Sequence, residues 1–238
     1  MSMSLQKYDQ IGVAMTCRSY AEYVRMFNLD EEKLASGPVL DIAAGAASFT
    51  AELRGREIEA KAADPMYRLS AEQIYDEGRK EIESSTSKLA RMKDQYDWSY
   101  YGSIEEHRDN RIRSLDKFIA HYNSQQAGTD RIYTAASLPE LPFPDESFQT
   151  VLCSHFLFLY HEQFDYSFHL KAIQELLRVC RKDGEVRLYP LVSLAWEPYP
   201  FLEDLTDYLE RGGVRCEFAN TFLPFVPKPS RVLCLRRG

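Results

Sequence analysis

Val39-Leu40-Asp41-Ile42-Ala43-Ala44-Gly45-Ala46-Ala47-Ser48-Phe49-Thr50 decides the fold. An apolar lead-in reads as a buried strand, the tiny residues as a tight turn, and Ser48-Phe49 as the opening of an amphipathic helix. Asp41 stands where a strand delivers a carboxylate to a ligand, and the small side chains let that ligand approach the backbone closely. Asp41 as an ordinary turn cap is the competing reading.

The same alternation continues on both sides of this stretch. Residues 17–36 carry Tyr20, Tyr23, Val24, Phe27 and Leu34 near helical spacing, ended by Gly37-Pro38. Ile58–Ala63 reads as a second strand that stops at Asp64-Pro65, and Arg131–Ala135 and Phe148–Ser154 as two more. Residues 167–181 form an amphipathic helix, Lys182-Asp183-Gly184 a turn, and Glu185–Val192 a fifth strand. A helix over 201–211 precedes two final strands, 214–219 and 231–236, that can pair antiparallel. Such alternation implies an α/β chain with a mainly parallel sheet and helices on both faces.

Between the second and third strands the chain changes character. Residues 68–128 are highly charged, with Leu89, Met92 and Tyr96, and Leu115, Ile119 and Tyr122, at helical spacing. The stretch predicts a helical insertion within one domain spanning 1–238. Its aromatic knot, Tyr96-Asp97-Trp98-Ser99-Tyr100-Tyr101-Gly102, either packs the insertion or lines an acceptor pocket. The arginines at 108–113 read as a solvated helix face.

Of the 238 residues 45% are apolar, enough for a substantial core, and the net charge of -7 argues against nucleic acid as the main partner. The five cysteines have no paired spacing, which favours reduced thiols and no metal site; His161-Glu162 lacks the second histidine of a zinc helix, since Asp165 stands there. Met1–Gln10 lacks a signal-peptide core and no apolar run is long enough to span a bilayer, so the expectation is a cytoplasmic protein without a membrane partner. Oligomeric state is not legible.

In order along the chain, four segments resemble the class I S-adenosylmethionine-dependent methyltransferases. They are Val39–Ala47, Ala62–Met66, Leu141–His155 and Glu175–Pro190. The resemblance implies a Rossmann-like, seven-stranded, mostly parallel sheet. S-adenosylmethionine would be the cofactor and S-adenosylhomocysteine the product. It further implies that Asp41, Ala43, Gly45 and Ala47 form the cofactor loop. Asp64 would take the ribose hydroxyls, Pro65 and Met66 or Tyr67 would lie against adenine, Ser137 and Leu138 would contact adenine, and Ser154 would face the methionine portion. Tyr20 and Arg18 would close over the amino-acid end, with core packing the alternative for Tyr20. The family has glycine at positions 43 and 47 and usually an acid near Ser137; the alanines lead us to expect a turn that alanine tolerates.

His155 and His161 are the candidate bases and Tyr160 an orienting group for methyl transfer to a small molecule or a peptide, with a hydrogen-bonded structural role the alternative for His155. Ser154–Tyr160 and the aromatic knot also resemble a group of uncharacterised bacterial methyltransferase-like proteins. Two other functions fit parts of the pattern. One is a degenerate methyltransferase fold that binds cofactor or a partner, and the other is an NAD-dependent oxidoreductase, which also ends its second strand in an acid.

Overall fold

The computed structural model describes residues 8–10, 12–125, 131–227 and 231–238. Residues 1–7 of the polar N-terminal stretch and 126–128 of the expected insertion lie outside them. Seven strands form one sheet: β1 (Val39–Ile42), β2 (Ala60–Ala63), β3 (Tyr133–Thr134), β4 (Phe148–Ser154), β5 (Cys180–Tyr189), β6 (Val214–Asn220) and β7 (Arg231–Arg237). Their order is β3-β2-β1-β4-β5-β7-β6. The first five strands run parallel, and β7 enters antiparallel between β5 and β6. This departs from the 3-2-1-4-5-6 order of the sheet that binds nicotinamide dinucleotides.

The seven-stranded, mostly parallel expectation is borne out. Lys182-Asp183-Gly184 is a difference of detail, because it lies within β5 rather than between helix and strand. The register there jumps from Phe148↔Cys180 to Thr150↔Glu185, so the turn residues bulge out of an otherwise continuous strand.

Period-two alternation splits the sheet residues between two cores. Leu40 and Ile42 join the face covered by α6 (Tyr166–Val179) and α7 (Leu202–Arg211), where Ile173, Leu176 and Leu205 are fully buried. Val39 joins the face of α1 (Tyr20–Phe27) and α3 (Phe49–Gly55), with Tyr23 and Phe49 stacked at 4.3 Å. Asp41 falls on that second face, where the Tyr23 hydroxyl donates to it. The expected helix over 17–36 is two helices, since Asn28 turns left-handed (φ 52°) and ends α1 before α2 (Glu31–Leu34) begins at its Asp30 cap.

The 68–128 region is a pair of long helices, α4 (Ala71–Arg91) and α5 (Ile104–Gln125). Ile74, Gly78 and Ile82 form one stripe of α4. Gly78 lacks the Cβ that would come within 2.9 Å of Leu115, so α5 packs close there. The α5 stripe mixes Leu115 and Phe118 with His107, Arg111 and Ser114, all buried.

The loop after β1 differs from expectation. Ala43 sits at φ +54°, in the left-handed region that alanine disfavours, alongside Gly45 at +56°. The turn kept the geometry that glycine serves, and the alanine methyl is tolerated rather than accommodated. Relief of about 1–2 kcal/mol of left-handed strain exceeds the roughly 0.4–1 kcal/mol that glycine adds to unfolded-state entropy. Ala43→Gly should therefore raise stability by about 0.5–1 kcal/mol in denaturant unfolding; a loss of stability would show that the loop is not strained.

Candidate functional site

The sheet order reverses between β1 and β4, and the ends of β1, β2 and β4 open there, the position where open α/β sheets bind ligands. A cavity of about 330 Å³ occupies this switch point. It brings together Ala43, Asp64, Pro65, Met66, Ser137 and Leu138, with Met15 and Phe156 among its apolar walls. Gly45 borders it through Asp64, whose carboxylate accepts the Gly45 N–H (3.0 Å) and the Met66 N–H (3.0 Å). Burial raises the Asp64 pKa, and these two backbone bonds oppose the rise. Asp41 is 1% exposed, and its pKa stands well above the usual carboxylate range, chiefly through burial; the Tyr23 bond opposes this and the Asp64 charge adds to it.

Other expected cofactor contacts lie outside this cavity. Ala47 is buried among core residues. Tyr20 is stacked on Phe49 at 5.7 Å, with the Arg56 guanidinium over its other side at 4.2 Å. Tyr67 is also a core residue, donating its hydroxyl to the Gly45 carbonyl from beneath.

A second cavity, of about 140 Å³, lies beyond a strap formed by residues 13–18. Ala14 and Met15 line both cavities. The strap rests on the β1 loop: the Thr16 carbonyl accepts the Ala46 N–H (3.0 Å), and the Arg18 carbonyl accepts the Ser48 N–H (3.0 Å). Gly45 allows this approach, since a Cβ there would meet the Thr16 carbonyl at 2.8 Å. His155 and Tyr160 line the second cavity; His161 lines neither, its ring packing on Tyr199 at 5.5 Å. Tyr160 accepts the Ala14 N–H (2.9 Å) and so holds the strap.

His155 follows β4 at φ +49°. Arg18 Nη2 is 2.9 Å from its Nε2, and Ser154 Oγ is 2.9 Å from its Nδ1. An arginine only donates, so Nε2 accepts and the proton sits on Nδ1, facing Ser154. Burial, and then the Arg18 and Arg111 charges, push the His155 pKa well below the ordinary value, so the ring is neutral. Its one basic nitrogen is occupied by Arg18.

Sequence reasoning missed the polar cluster behind this histidine. Glu22, in the first turn of α1, is fully buried and takes Arg111 Nη1 at 2.6 Å and Arg18 Nη1 at 3.4 Å. The Tyr101 hydroxyl, the Ser19 N–H and hydroxyl, and Asn110 Nδ2 also donate to it. Burial alone would raise the Glu22 pKa; Arg111, then Arg18, then Tyr101 and Ser19 outweigh it and hold the group down at about 2. Arg111 is 7% exposed, which corrects the solvated-face reading for that one arginine, whereas Arg113 is exposed and Arg108 partly so. Arg111 Nη2 also donates to His107 Nε2 (3.2 Å), which places the His107 proton on Nδ1. Their polar side chains broke the apolar stripe of α5, and the only sequence signal was the Ser19–Glu22 capping box, which marks a helix start rather than a site.

With this geometry in place, comparison with known proteins gives the following. The family described as "Methyltransferase domain" matches residues 113–188, from α5 through β5. The uncharacterized protein MJ0045 of Methanocaldococcus jannaschii is 32% identical over 221 residues, covering 92% of this chain and 94% of its own, so the two chains belong to one family. Among solved structures, the mitomycin 7-O-methyltransferase MmcR is 14% identical with a TM-score of 0.48, covering 92% of this chain and 54% of that one. A putative S-adenosylmethionine-dependent methyltransferase from Methanococcus maripaludis is 11% identical with a TM-score of 0.47, covering 92% and 83%.

Burial lowers the His107 pKa from 6.5 to about 2, with Arg111 adding to the fall. Between those values the unfolded chain binds the proton and the folded chain does not, so this contribution to stability falls as pH drops below 6.5. Wild type should lose stability relative to His107→Phe by up to about 1.4 kcal/mol per pH unit below that point. Urea unfolding of both proteins from pH 7 to 5 measures it, and a difference flat in pH would mean that folded His107 titrates normally.

Proposed function

We propose that this chain is a class I S-adenosylmethionine-dependent methyltransferase, and that it transfers a methyl group to a small-molecule or peptide acceptor held under its helical insertion. The observation that carries this reading is the pair of cavities sharing Ala14 and Met15: one has a carboxylate and apolar walls at the sheet's switch point, and the other is aromatic and lies at the ends of β4 and β5.

The first cavity suits S-adenosylmethionine by its chemistry. Its volume is within the usual range for a small-molecule site. The Asp64 carboxylate can accept from the two hydroxyls of a ribose, while Met66, Leu138 and Phe156 supply the apolar surface a purine needs. Ser137, which stands where the family usually has an acid, leaves the polar recognition of adenine to hydroxyl and backbone groups. When bound, the cofactor supplies an electrophilic methyl carbon on a sulfonium.

What remains for the protein is alignment and exclusion of water. The strap at 13–18 separates the cavities and is held from both sides, by the β1 loop and by Tyr160. His155 acts as a positioning residue, because its free lone pair already receives Arg18 and its proton faces Ser154. Burial raises the Tyr160 pKa, so its hydroxyl stays protonated and orients the strap. With neither group serving as a base, the acceptor would arrive with a lone pair ready to attack.

Calorimetric titration with S-adenosylhomocysteine tests the cofactor half. Wild type should bind at micromolar levels, and Asp64→Ala should weaken binding by roughly tenfold or more through loss of charge-assisted bonds to the ribose. Equal affinity in the variant would remove Asp64 from the site, and no binding by folded wild type would defeat the reading.

A further inference from the structure

The second cavity carries a statement about the acceptor. Tyr8, Leu89, Tyr96, Leu159, Trp196 and Phe225 give it mostly aromatic and aliphatic walls. Its volume of about 140 Å³ is close to the ~150 Å³ of an apolar cavity that holds one benzene. A ring of that size fits.

On two of these wall residues one buried nitrogen lacks a partner among the described residues. His107 is 3% exposed, and its Nδ1 has no hydrogen-bond partner among the described residues; nor does the buried Nε of Arg18. Both atoms are donors: the arginine by nature, and the histidine because Arg111 occupies its other nitrogen. Two buried donors without acceptors cost free energy unless a ligand supplies the acceptor.

Charge points the same way. Arg18 and Arg111 share one buried carboxylate, Glu22, which leaves the trio one positive charge in excess. Glu81 also lines the cavity, half-buried, with its pKa raised by burial and the rise opposed by the charge of Lys88, about two turns further along α4. Counting Lys88 against Glu81, the excess positive charge of the trio stands beside the cavity.

We propose that this cavity takes a single aromatic ring bearing an anionic oxygen group, an aromatic carboxylate in its simplest form, and that this is the part of the acceptor the protein recognises. Arg18 and His107 donate to the oxygens while the aromatic walls enclose the ring. The word acceptor rests on the methyl-transfer reading; the ring and the anion rest on the cavity alone.

The test uses the full chain saturated with S-adenosylhomocysteine and three one-ring probes: benzoate, benzyl alcohol and benzylamine. Benzoate should bind the complex about tenfold or more tightly than benzyl alcohol, and benzylamine should bind worst. His107→Phe, which keeps the ring stacked on Phe225, should lose about tenfold in benzoate affinity with its S-adenosylhomocysteine affinity unchanged. Equal binding of benzoate and benzyl alcohol, or preference for benzylamine, would overturn the inference on wild-type protein alone. Displacement of S-adenosylhomocysteine by benzoate would also overturn it, by assigning Arg18 to the cofactor's own carboxylate. Benzoate binding to a protein that does not bind S-adenosylhomocysteine would uphold the cavity's chemistry and defeat the methyl-transfer reading instead.

Discussion

One buried carboxylate ties the active face of this protein together. Glu22 projects from α1, receives Arg111 from the inserted helix α5 and Arg18 from the strap, and is itself fixed by the Ser19 cap. Arg18 then reaches His155 at the end of β4. Insertion, N-terminal strap and sheet thus meet through one continuous set of charge-assisted bonds. Such a cluster is unforgiving: an ion pair this deeply buried adds little net stability, yet losing one partner costs roughly 3–5 kcal/mol. The histidine most easily read as a base therefore has its lone pair committed to this network.

Part of the left-handed backbone lies on the same face. Ala43 and Gly45 after β1 and His155 after β4 all take positive φ, at the strand ends that flank the sheet's reversal point. Left-handed backbone at a non-glycine residue persists only where its surroundings over-determine it. Here the strap, Asp64 and Tyr67 all bond to the loop around Gly45. These bonds hold the loop in shape, and a preorganised backbone reduces what binding must spend on ordering.

The fold was legible because it rests on periodicity. The runs Val39–Ile42 and Phe148–Ser154, the breaks at Gly37-Pro38 and Asp64-Pro65, and the two closing strands are local patterns with local causes. The grouping of Ala43, Asp64–Met66 and Ser137–Leu138 in one cavity followed from the order of the strands that carry them. Less was legible of the polar cluster. Glu22 lies some ninety residues before His107 and Arg111, which are one turn apart on α5, and the arginine reads as part of a solvated helix face; only the packing of α5 against the strap and α1 removes them from water. The alanine turn misled for a related reason: propensity favours another geometry for Ala43, and tertiary contacts overrule it. Tyr20 and His161 had suitable chemistry, but their rings pack on Phe49 and Tyr199 instead of facing a cavity.

The central claim is that the two adjoining cavities are the cofactor and acceptor halves of one methyl-transfer site. A crystal structure of the protein grown with S-adenosylhomocysteine tests it most directly. The account predicts adenine between Met66 and Leu138, ribose hydroxyls on the Asp64 carboxylate, and the sulfur directed toward the cavity lined by His155 and Trp196. A nucleoside bound elsewhere, or one whose sulfur points away from that cavity, would contradict it.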